Sequence, residues 1–165
     1  MDTLIRRATL KDLPAIVEIL NHGIKTRHSV GHFNAQSVED MQDWFSIHAE
    51  RRFPVFLAED QNKIKGWISL SPYRRGREAF NRSGEISAYI HEDYQRSGIG
   101  QKLLDHMLTF AKESGFRIIF AIVFDRNLPS INLLEKNNFE KWAFLPEVAE
   151  IDGMILNHLY YGVRL

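Results

Sequence analysis

The stretch GEISAYIHEDYQRSGIGQKLLDHML, residues 84–108, decides the fold of this chain. Its first part, 84–92, alternates between apolar and polar residues and predicts a β-strand. Its last part predicts the start of an amphipathic helix, whose apolar face consists of Leu103, Leu104, Met107, Leu108 and Ala111. A strand therefore passes through a short glycine-containing segment, QRSGIG at 95–100, directly into a helix.

This glycine segment predicts a phosphate-binding loop. Gly98 and Gly100 allow backbone N–H groups to approach an anion without interference from a Cβ atom. The N-terminus of the following helix adds unpaired donors and the positive end of the helix dipole. A pyrophosphate fits such a loop, and a plain turn between strand and helix is the alternative interpretation. The G-x-x-x-x-G-K-[ST] P-loop and the G-x-G-x-x-G dinucleotide fingerprint are both absent from the sequence.

Outward from this segment, the apolar pattern predicts a mixed α/β domain. The helical spacing of apolar residues over 13–24 and a capping box at Ser37 and Asp40 predict two helices near the N-terminus. The apolar run at 117–124 predicts a strand buried on both faces, and a helix follows it at 129–137. Further strands are predicted at 4–8, 54–59 and 64–73, with two more within 139–165. This order indicates a three-layer α/β fold.

The composition excludes several functional classes. The chain has 165 residues, which fits a single domain spanning 1–165. Lys plus Arg and Asp plus Glu each number 21, so the formal net charge is zero and no nucleic-acid partner is expected. The absence of cysteine excludes disulfides and a thiol nucleophile. With no apolar leader and no membrane-spanning run, we expect a cytoplasmic protein without a membrane partner.

Four segments resemble the GNAT acyltransferase superfamily. The loop at 95–100 matches its acyl-CoA motif, [QR]-x-x-G-x-[GA]. NLPSI at 127–131 is similar to N-x-x-[SA]-[IV], KNNF at 136–139 is similar to K-x-G-F, and IRRATLKDL at 5–13 resembles the family's first strand and helix start. The resemblance covers nearly the whole chain. It implies a GNAT fold, a mixed central sheet flanked by helices in three layers, and an N-acetyltransferase that uses acetyl-CoA and no metal.

Within this superfamily the chain resembles the phosphinothricin and L-amino acid N-acetyltransferases. The similarity rests on Asn21-His22, on Trp44-Phe45, on the segment from Ser71-Pro72-Tyr73 to Phe80, and on 85–91. It implies a small amino-acid-like amine as acceptor and a homodimer paired through C-terminal elements. An enzyme that acetylates protein or peptide amines and a non-catalytic acyl-CoA-binding regulator are the alternatives.

The resemblance also assigns residues to the cofactor. The strand before the loop is expected to carry a bulge and to separate from its neighbour, so that free backbone groups hold the pantetheine and the thioester carbonyl. A backbone N–H in that strand would then stabilise the oxyanion as the amine attacks. The cofactor residues implied in this way are Ser87, Ala88, Tyr89, Ile90, Gln95, Arg96, Ser97, Gly98, Ile99, Gly100, Asn127, Ser130 and Lys136.

A general base is needed because an amine is mostly protonated at neutral pH. Glu85 is the candidate, since strand alternation puts it on the same face as Ser87, Tyr89 and His91. A solvated glutamate, or one paired with Arg82, is the alternative reading of Glu85. His91 and solvent are the alternative bases.

Two features depart from the relatives. Leu133-Leu134 stand where many of them place a Tyr or His proton donor, so water or the departing ammonium would have to protonate the thiolate. The segment 152–158 lacks their aromatic-x-Asp pattern, which leaves the identity of the acceptor open.

Four arginines lie within 74–82, and Arg binds carboxylates and phosphinates through two hydrogen bonds. We assign Arg77, Phe80, Asn81 and Arg82 to the acceptor site; a solvated loop, or a surface for coenzyme A phosphates, is the alternative.

Overall fold

The computed structural model describes residues 3–26, 31–48 and 51–165. Within these ranges seven strands form one sheet: β1 (Leu4–Arg7), β2 (Val55–Asp60), β3 (Lys63–Pro72), β4 (Ser83–Ile90), β5 (Ile118–Phe124), β6 (Glu140–Ile151) and β7 (Met154–Arg164). The helices of the same ranges are α1 (Leu13–Lys25), α2 (Gln42–His48), α3 (Ile99–Glu113) and α4 (Leu128–Lys136). Short 3-10 turns cover Leu10–Asp12, Glu78–Phe80 and Glu92–Tyr94. None of the described helices is long and apolar enough to span a membrane.

The sheet has the strand order β1-β2-β3-β4-β5-β7-β6. β4 and β5 are parallel, and every other neighbouring pair in the sheet is antiparallel. A parallel pair needs a crossover connection, and α3 provides it between β4 and β5. β4 is therefore the central strand, and the glycine loop lies between its end and the crossover helix.

Two hydrophobic cores give the domain its three layers. The larger core packs α3 and α4 against one face of the sheet, with Leu103, Met107 and Ile119 fully buried. The second core packs α1 and α2 against the other face around Leu57 and Trp67. The expected three-layer α/β architecture is confirmed.

Local signals in the sequence set the boundaries of several elements. Thr9 and Asp12 form a reciprocal capping box just before α1. Ser37 and Asp40 also bond to each other, but their box closes a turn, and α2 begins only at Gln42. Asn138 takes a positive φ of 63° after α4, as an asparagine in place of glycine allows.

Two expectations about the central strands are wrong. β5 is not buried on both faces: Ile119 and Ala121 are buried under α3 and α4, whereas Phe120 and Ile122 are only half-buried, because the core under α1 and α2 does not extend to β5. The bulge expected in the strand before the loop is absent, since β3 and β4 pair in unbroken register throughout their described ladder.

Candidate active site

A cleft opens between β4 and β5 at their C-terminal ends. The two strands pair from Ser83 opposite Ile118 only as far as Ile86 opposite Ala121. Beyond that point β4 continues to Ile90 without a partner on its β5 side, although it lies in the middle of the sheet. Ala88 is exposed there. A residue in a central strand is exposed in this way only where the neighbouring strand has moved away. The expected separation of the two strands is thus confirmed, without the bulge.

The residues assigned to the pantetheine line this cleft. Ser87, Ala88, Tyr89 and Ile90 pair with β3 on one side and leave their β5 side open. Unpaired backbone N–H and C=O groups need partners, and an extended amide-containing chain can supply them. The geometry suits the pantetheine arm of coenzyme A, whose two amides can bond to β4 as an additional strand would.

The loop at 95–100 takes the conformation of an anion-binding turn. Arg96 and Gly98 have φ angles of 57° and 85°, both in the left-handed region. Gly98 is the N-cap of α3, and the backbone N–H of Lys102 donates to the Gly98 carbonyl at 3.1 Å. The N–H groups of the helix residues before Lys102 therefore have no helical acceptor. These N–H groups have the arrangement of donors in an anion-binding site.

The two glycines of this loop differ in what requires glycine. A Cβ at Gly98 would meet nothing within 4 Å, so the left-handed backbone conformation is what favours glycine there. A Cβ at Gly100 would lie 3.4 Å from the Leu133 side chain, which is an ordinary van der Waals contact. The close approach of an anion to the two glycines stays a prediction.

The remaining cofactor residues lie at the two ends of α4. Asn127 caps this helix, and its side-chain oxygen accepts from the Ser130 N–H at 3.3 Å. Lys136 lies at the other end and is exposed. The next residue, Asn137, exchanges hydrogen bonds of 2.7 and 3.1 Å with Gln101 in the first turn of α3. Lys136 is therefore next to the contact that ties α4 to the loop, whereas Asn127 and Ser130 follow the end of β5.

Glu85 lies where the cleft begins. It pairs with Ser71 on one side and with Phe120 on the other, one residue pair before β4 and β5 separate. Among the described residues its carboxylate has no hydrogen-bond or ion-pair partner, and Arg82 donates instead to the Gly115 carbonyl at 3.1 Å. Burial raises the pKa of Glu85. An unpaired, partly buried carboxylate with a raised pKa has the properties of a proton acceptor.

A cavity of about 330 Å³ lies on the α1/α2 side of the sheet beside the cleft. Tyr89, Ile122, Phe124 and His158 contribute to its lining. Burial, together with the charge of Glu85 on the same strand face, raises the pKa of Tyr89 to about 12, so its hydroxyl remains protonated. Burial lowers the pKa of His158, which favours a neutral imidazole. The cavity is large enough for a small acceptor and presents mostly uncharged groups.

His91 is too far along the strand to act on the same amine as Glu85. Six residues of β-strand span about 20 Å. His91 instead follows the end of β4, donates its backbone N–H to Lys65, and packs its ring 4.7 Å from that of His22. The structure thus separates the two side chains that the sequence offered as bases.

The four residues assigned to the acceptor differ in their surroundings. Phe80 packs edge-to-face on Tyr73, and Tyr73 stacks on Phe120, the β5 partner of Glu85. Phe80 therefore belongs to an aromatic wall next to the candidate base. Asn81 presents its carbonyl to Arg52, at 2.6 Å. Arg77 is exposed and has no side-chain partner among the described residues, whereas Arg82 is tied to Gly115, at the turn between α3 and β5.

Sequence reasoning did not assign His48 or Trp142 to the site. His48 is buried, and its Nδ1 lies 2.7 Å from the Trp44 carbonyl, which can only accept, so Nδ1 carries the proton. Nε2 then accepts from the Ser71 hydroxyl at 3.0 Å. Burial lowers the pKa of His48, which keeps this arrangement neutral. Residues paired across antiparallel strands share a face, so His48 fixes the hydroxyl of Ser71 beside Glu85.

The other missed element is Trp142. It is the extra residue of a bulge in β6, between Lys141 opposite Tyr161 and Ala143 opposite Tyr160. Its indole packs edge-to-face on Phe120 at 5.6 Å and completes the aromatic wall. No local signal marks a bulge in this part of the sequence, whereas the four-residue spacing of Trp44 and His48 on one helix face could have drawn attention to His48.

Comparison with known proteins agrees with this geometry. The model of the acetyltransferase (GNAT) family matches residues 17–139. YwnH of Bacillus subtilis (strain 168), a proposed phosphinothricin acetyltransferase, is 39% identical over 90% of this chain and 91% of its own length. The L-amino acid N-acyltransferase MnaT of Escherichia coli (strain K12) is 27% identical over 98% of this chain and 93% of its own length.

A similar solved structure contains the acetyl donor. The structure of yncA from Salmonella typhimurium, a proposed acetyltransferase with its cofactor acetyl-CoA, is similar to this fold with a TM-score of 0.92. It is 26% identical and covers 99% of this chain and 94% of that one. Acetyl-CoA, which supplies an activated acetyl group, is the acetyl donor of this family. The chain belongs to the GNAT family of acetyl-CoA-dependent N-acetyltransferases and is similar to its phosphinothricin and L-amino acid members.

Proposed function

We propose that this enzyme acetylates the amine of a small amino-acid-like acceptor of the phosphinothricin or methionine sulfoximine type, and that it acts in the cytoplasm. The names of YwnH and MnaT support an acceptor of this class. The cavity of about 330 Å³ beside the cleft has the size for such a molecule. The acceptor amine attacks the donor directly while both substrates are bound.

The observation that carries this proposal is the unpaired carboxylate of Glu85 at the start of the cleft. An α-ammonium group has to lose a proton before it can attack. Burial raises the pKa of Glu85, which brings its proton affinity closer to that of the amine. Glu85 takes the proton, directly or through one water molecule, and releases it to solvent.

We infer direct transfer because the chain has no cysteine thiol that could take up the acetyl group. The side chain of Leu134 is in the core under α3 and α4. The departing thiolate is therefore protonated by water or by the ammonium group of the attacking amine, and not by a side chain of α4.

The acceptor's own anionic group is bound by Arg77. This side chain is exposed near the aromatic wall of Phe80 and Tyr73, and its guanidinium has no partner among the described residues. Arg recognises a carboxylate or phosphinate through two parallel hydrogen bonds. Arg82 contributes less, since one of its donors is used on the Gly115 carbonyl. Phe80 and Asn81 border the same opening.

The experiment is a thiol-release assay with acetyl-CoA and a panel of acceptors. The panel contains the common L-amino acids, methionine sulfoximine, phosphinothricin, polyamines and short peptides with free N-termini. The proposal expects the highest kcat/KM with the amino-acid analogues. A preference for peptides would assign the enzyme to protein acetylation. Acetyl-CoA binding without thiol release for any acceptor would favour a regulator.

We also propose that the enzyme is a homodimer paired through the β6–β7 hairpin. Phe144, Val148 and Ile155 on this hairpin are 53%, 53% and 49% exposed. β6 is also an edge strand, with no further strand beside it among the described residues. Trp142 and Tyr160 of the same hairpin are half-buried within the subunit and are not part of this surface.

A further inference from the structure

Three potential metal ligands meet at the far end of β4, outside the acetyl-transfer site. Glu18 and His22 lie one turn apart on the same face of α1, and His91 follows the last residue of β4. One ligand atom from each of these residues lies within 4.8 Å of the other two. The two imidazole rings are 4.7 Å apart and inclined at 63°.

His22 has an unsatisfied nitrogen at this place. Its Nδ1 is buried and has no hydrogen-bond partner among the described residues, and it is the one buried side-chain nitrogen or oxygen there in that condition. A buried polar atom without a partner costs free energy unless something fills the vacancy, and ordered ions are one such partner. Glu92 Oε1 lies 4.0 Å from this nitrogen, which is near but beyond hydrogen-bonding distance.

We propose that Glu18, His22 and His91 bind a divalent transition-metal ion, with Zn²⁺ as the first candidate. Two imidazoles and one carboxylate are a ligand set that Zn²⁺ takes in proteins, with water in the fourth position. Mg²⁺ and Ca²⁺ prefer oxygen ligands and fit this set poorly. The proposal departs from the expectation of no metal that the family resemblance gave.

His91 has a carboxylate close to its Nδ1. Asp93 Oδ2 lies 3.8 Å from this nitrogen. A metal-bound histidine usually donates the proton of its second nitrogen to such a carboxylate, which leaves Nε2 of His91 for the ion. His22 would bind the ion through its unpartnered Nδ1. In the metal-free geometry the Nδ1 of His91 accepts from the Asp93 N–H at 3.3 Å. Metal binding would move a proton onto Nδ1 and replace this contact with the Asp93 carboxylate.

The site is accessible and needs only a small contraction. Tetrahedral Zn²⁺ with bonds of about 2.0–2.2 Å holds its ligand atoms roughly 3.3–3.6 Å apart. Glu18 is exposed and can rotate inward. A groove of about 500 Å³, bordered by Glu18, Asn21 and His22, gives an ion a path from solvent. The open fourth position would face this groove.

The ion would connect two elements rather than take part in acetyl transfer. Six residues of strand, about 20 Å, separate His91 from Glu85. A metal at this place would tie the C-terminal half of α1 to the end of β4, immediately before the 95–100 loop. Its primary effect would be on the stability of that junction.

The test is Zn²⁺ binding to the metal-stripped full chain, measured by competition with a chromogenic chelator. We expect one tight site per chain, with affinity reduced about 100-fold or more in His22→Gln and His91→Gln. His106→Gln is the matched control, since His106 lies exposed on α3 and packs on Phe56. Co²⁺ should give the intense visible absorption of a four-coordinate ion. No binding, or equal binding by all four proteins, would overturn the proposal.

A second variant, Asp93→Asn, tests the site while all three metal ligands remain in place. Asp93→Asn keeps the shape of the side chain and should weaken Zn²⁺ binding about 10-fold, as loss of a partner of a metal-bound histidine does. Glu85→Gln should bind Zn²⁺ as the wild type does, whether or not Glu85 is the general base. If Asp93→Asn leaves the affinity unchanged, the carboxylate–histidine–metal arrangement is wrong.

Discussion

The indole of Trp142 lies directly over Gly162. A Cβ added to Gly162 would come within 2.3 Å of two carbons of that ring. Gly162 pairs with Phe120 across β5 and β7, and Phe120 pairs with Glu85 across β4 and β5. The glycine therefore provides the space in which Trp142 completes the aromatic wall beside Glu85.

The first prediction concerns this contact. Gly162→Ala should destabilise the protein by about 1–3 kcal/mol, the usual cost of overpacking, and should raise the acceptor KM as Trp142 is displaced. Urea unfolding and steady-state kinetics measure the two effects, and the affinity for acetyl-CoA should not change. In a Trp142→Ala background the same substitution should cost much less stability. Equal costs in the two backgrounds would show that the ring does not occupy this space.

The second prediction tests the loop with two glycines in the same backbone state. Gly98 and Gly115 lie before and after α3, with φ angles of 85° and 80°, and a Cβ at either would meet nothing within 4 Å. Valine at each position should cost about 1–2 kcal/mol of left-handed strain. Gly98→Val alone should abolish acetyl-CoA binding in calorimetry. If both variants bind acetyl-CoA normally, the loop is only a turn.

A third prediction concerns acid stability. Hydrogen bonds from Arg6 lower the pKa of Asp12 to about 2, with further help from Thr9. A carboxyl whose pKa is lower in the folded than in the unfolded state stabilises the fold above its unfolded pKa. That contribution, about 2 kcal/mol, is lost as the pH falls from about 4 to about 2. Asp12→Asn should remove most of it at pH 7 and flatten the unfolding free energy between these pH values. A variant with wild-type acid sensitivity would assign the effect to other carboxylates.

The fourth prediction is dimerisation through the β6–β7 hairpin. Phe144→Glu and Ile155→Glu place charges on the exposed apolar surface and should convert the dimer to monomer in light scattering at micromolar concentration. Leu10→Glu is the control, since Leu10 is a large apolar residue outside the hairpin that is 64% exposed. A wild-type protein that is monomeric under these conditions would exclude the homodimer.

Local patterns made most of the fold predictable. The helix start at the 95–100 loop and the positive φ of Asn138 depend on residues a few positions apart. Such signals act within one turn of chain, so the sequence shows them directly. The separation of β4 and β5 could be expected only from the family resemblance, because no residue in either strand requires it.

The features that sequence reasoning missed depend on contacts between distant segments. Ser71 and His48 meet only because β3 lies under α2, and Trp142 reaches Phe120 only through a bulge in β6. The half-buried face of β5 was mistaken for a buried one because an apolar run does not show how far the covering helices extend. Such facts follow from the packing of the layers, which no local pattern records.

The last prediction decides the mechanism. Glu85→Gln preserves the shape of the side chain and removes the proton acceptor, so kcat/KM near neutral pH should fall by roughly 10²–10⁴. The affinity for acetyl-CoA in calorimetry should remain that of the wild type. Glu78→Gln is the control, because Glu78 is exposed on the 3-10 turn that carries Phe80, and it should retain activity.

The pH dependence of kcat/KM in the wild type and in Glu85→Gln distinguishes a general base from a structural carboxylate. Burial raises the pKa of Glu85, so the wild-type rate should fall on the acid side through a pKa above the usual range for glutamate. The rate of the variant should rise with pH as the amine loses its proton unaided, and the difference in rate between wild type and variant should shrink.

A raised carboxyl pKa also means that the ionised form destabilises the fold, and this cost grows as the pH rises above the unfolded pKa. Glu85→Gln should therefore have an unchanged or higher Tm at pH 7, as for a residue kept for activity. A lower Tm with near-normal turnover would make Glu85 structural and leave the proton to solvent.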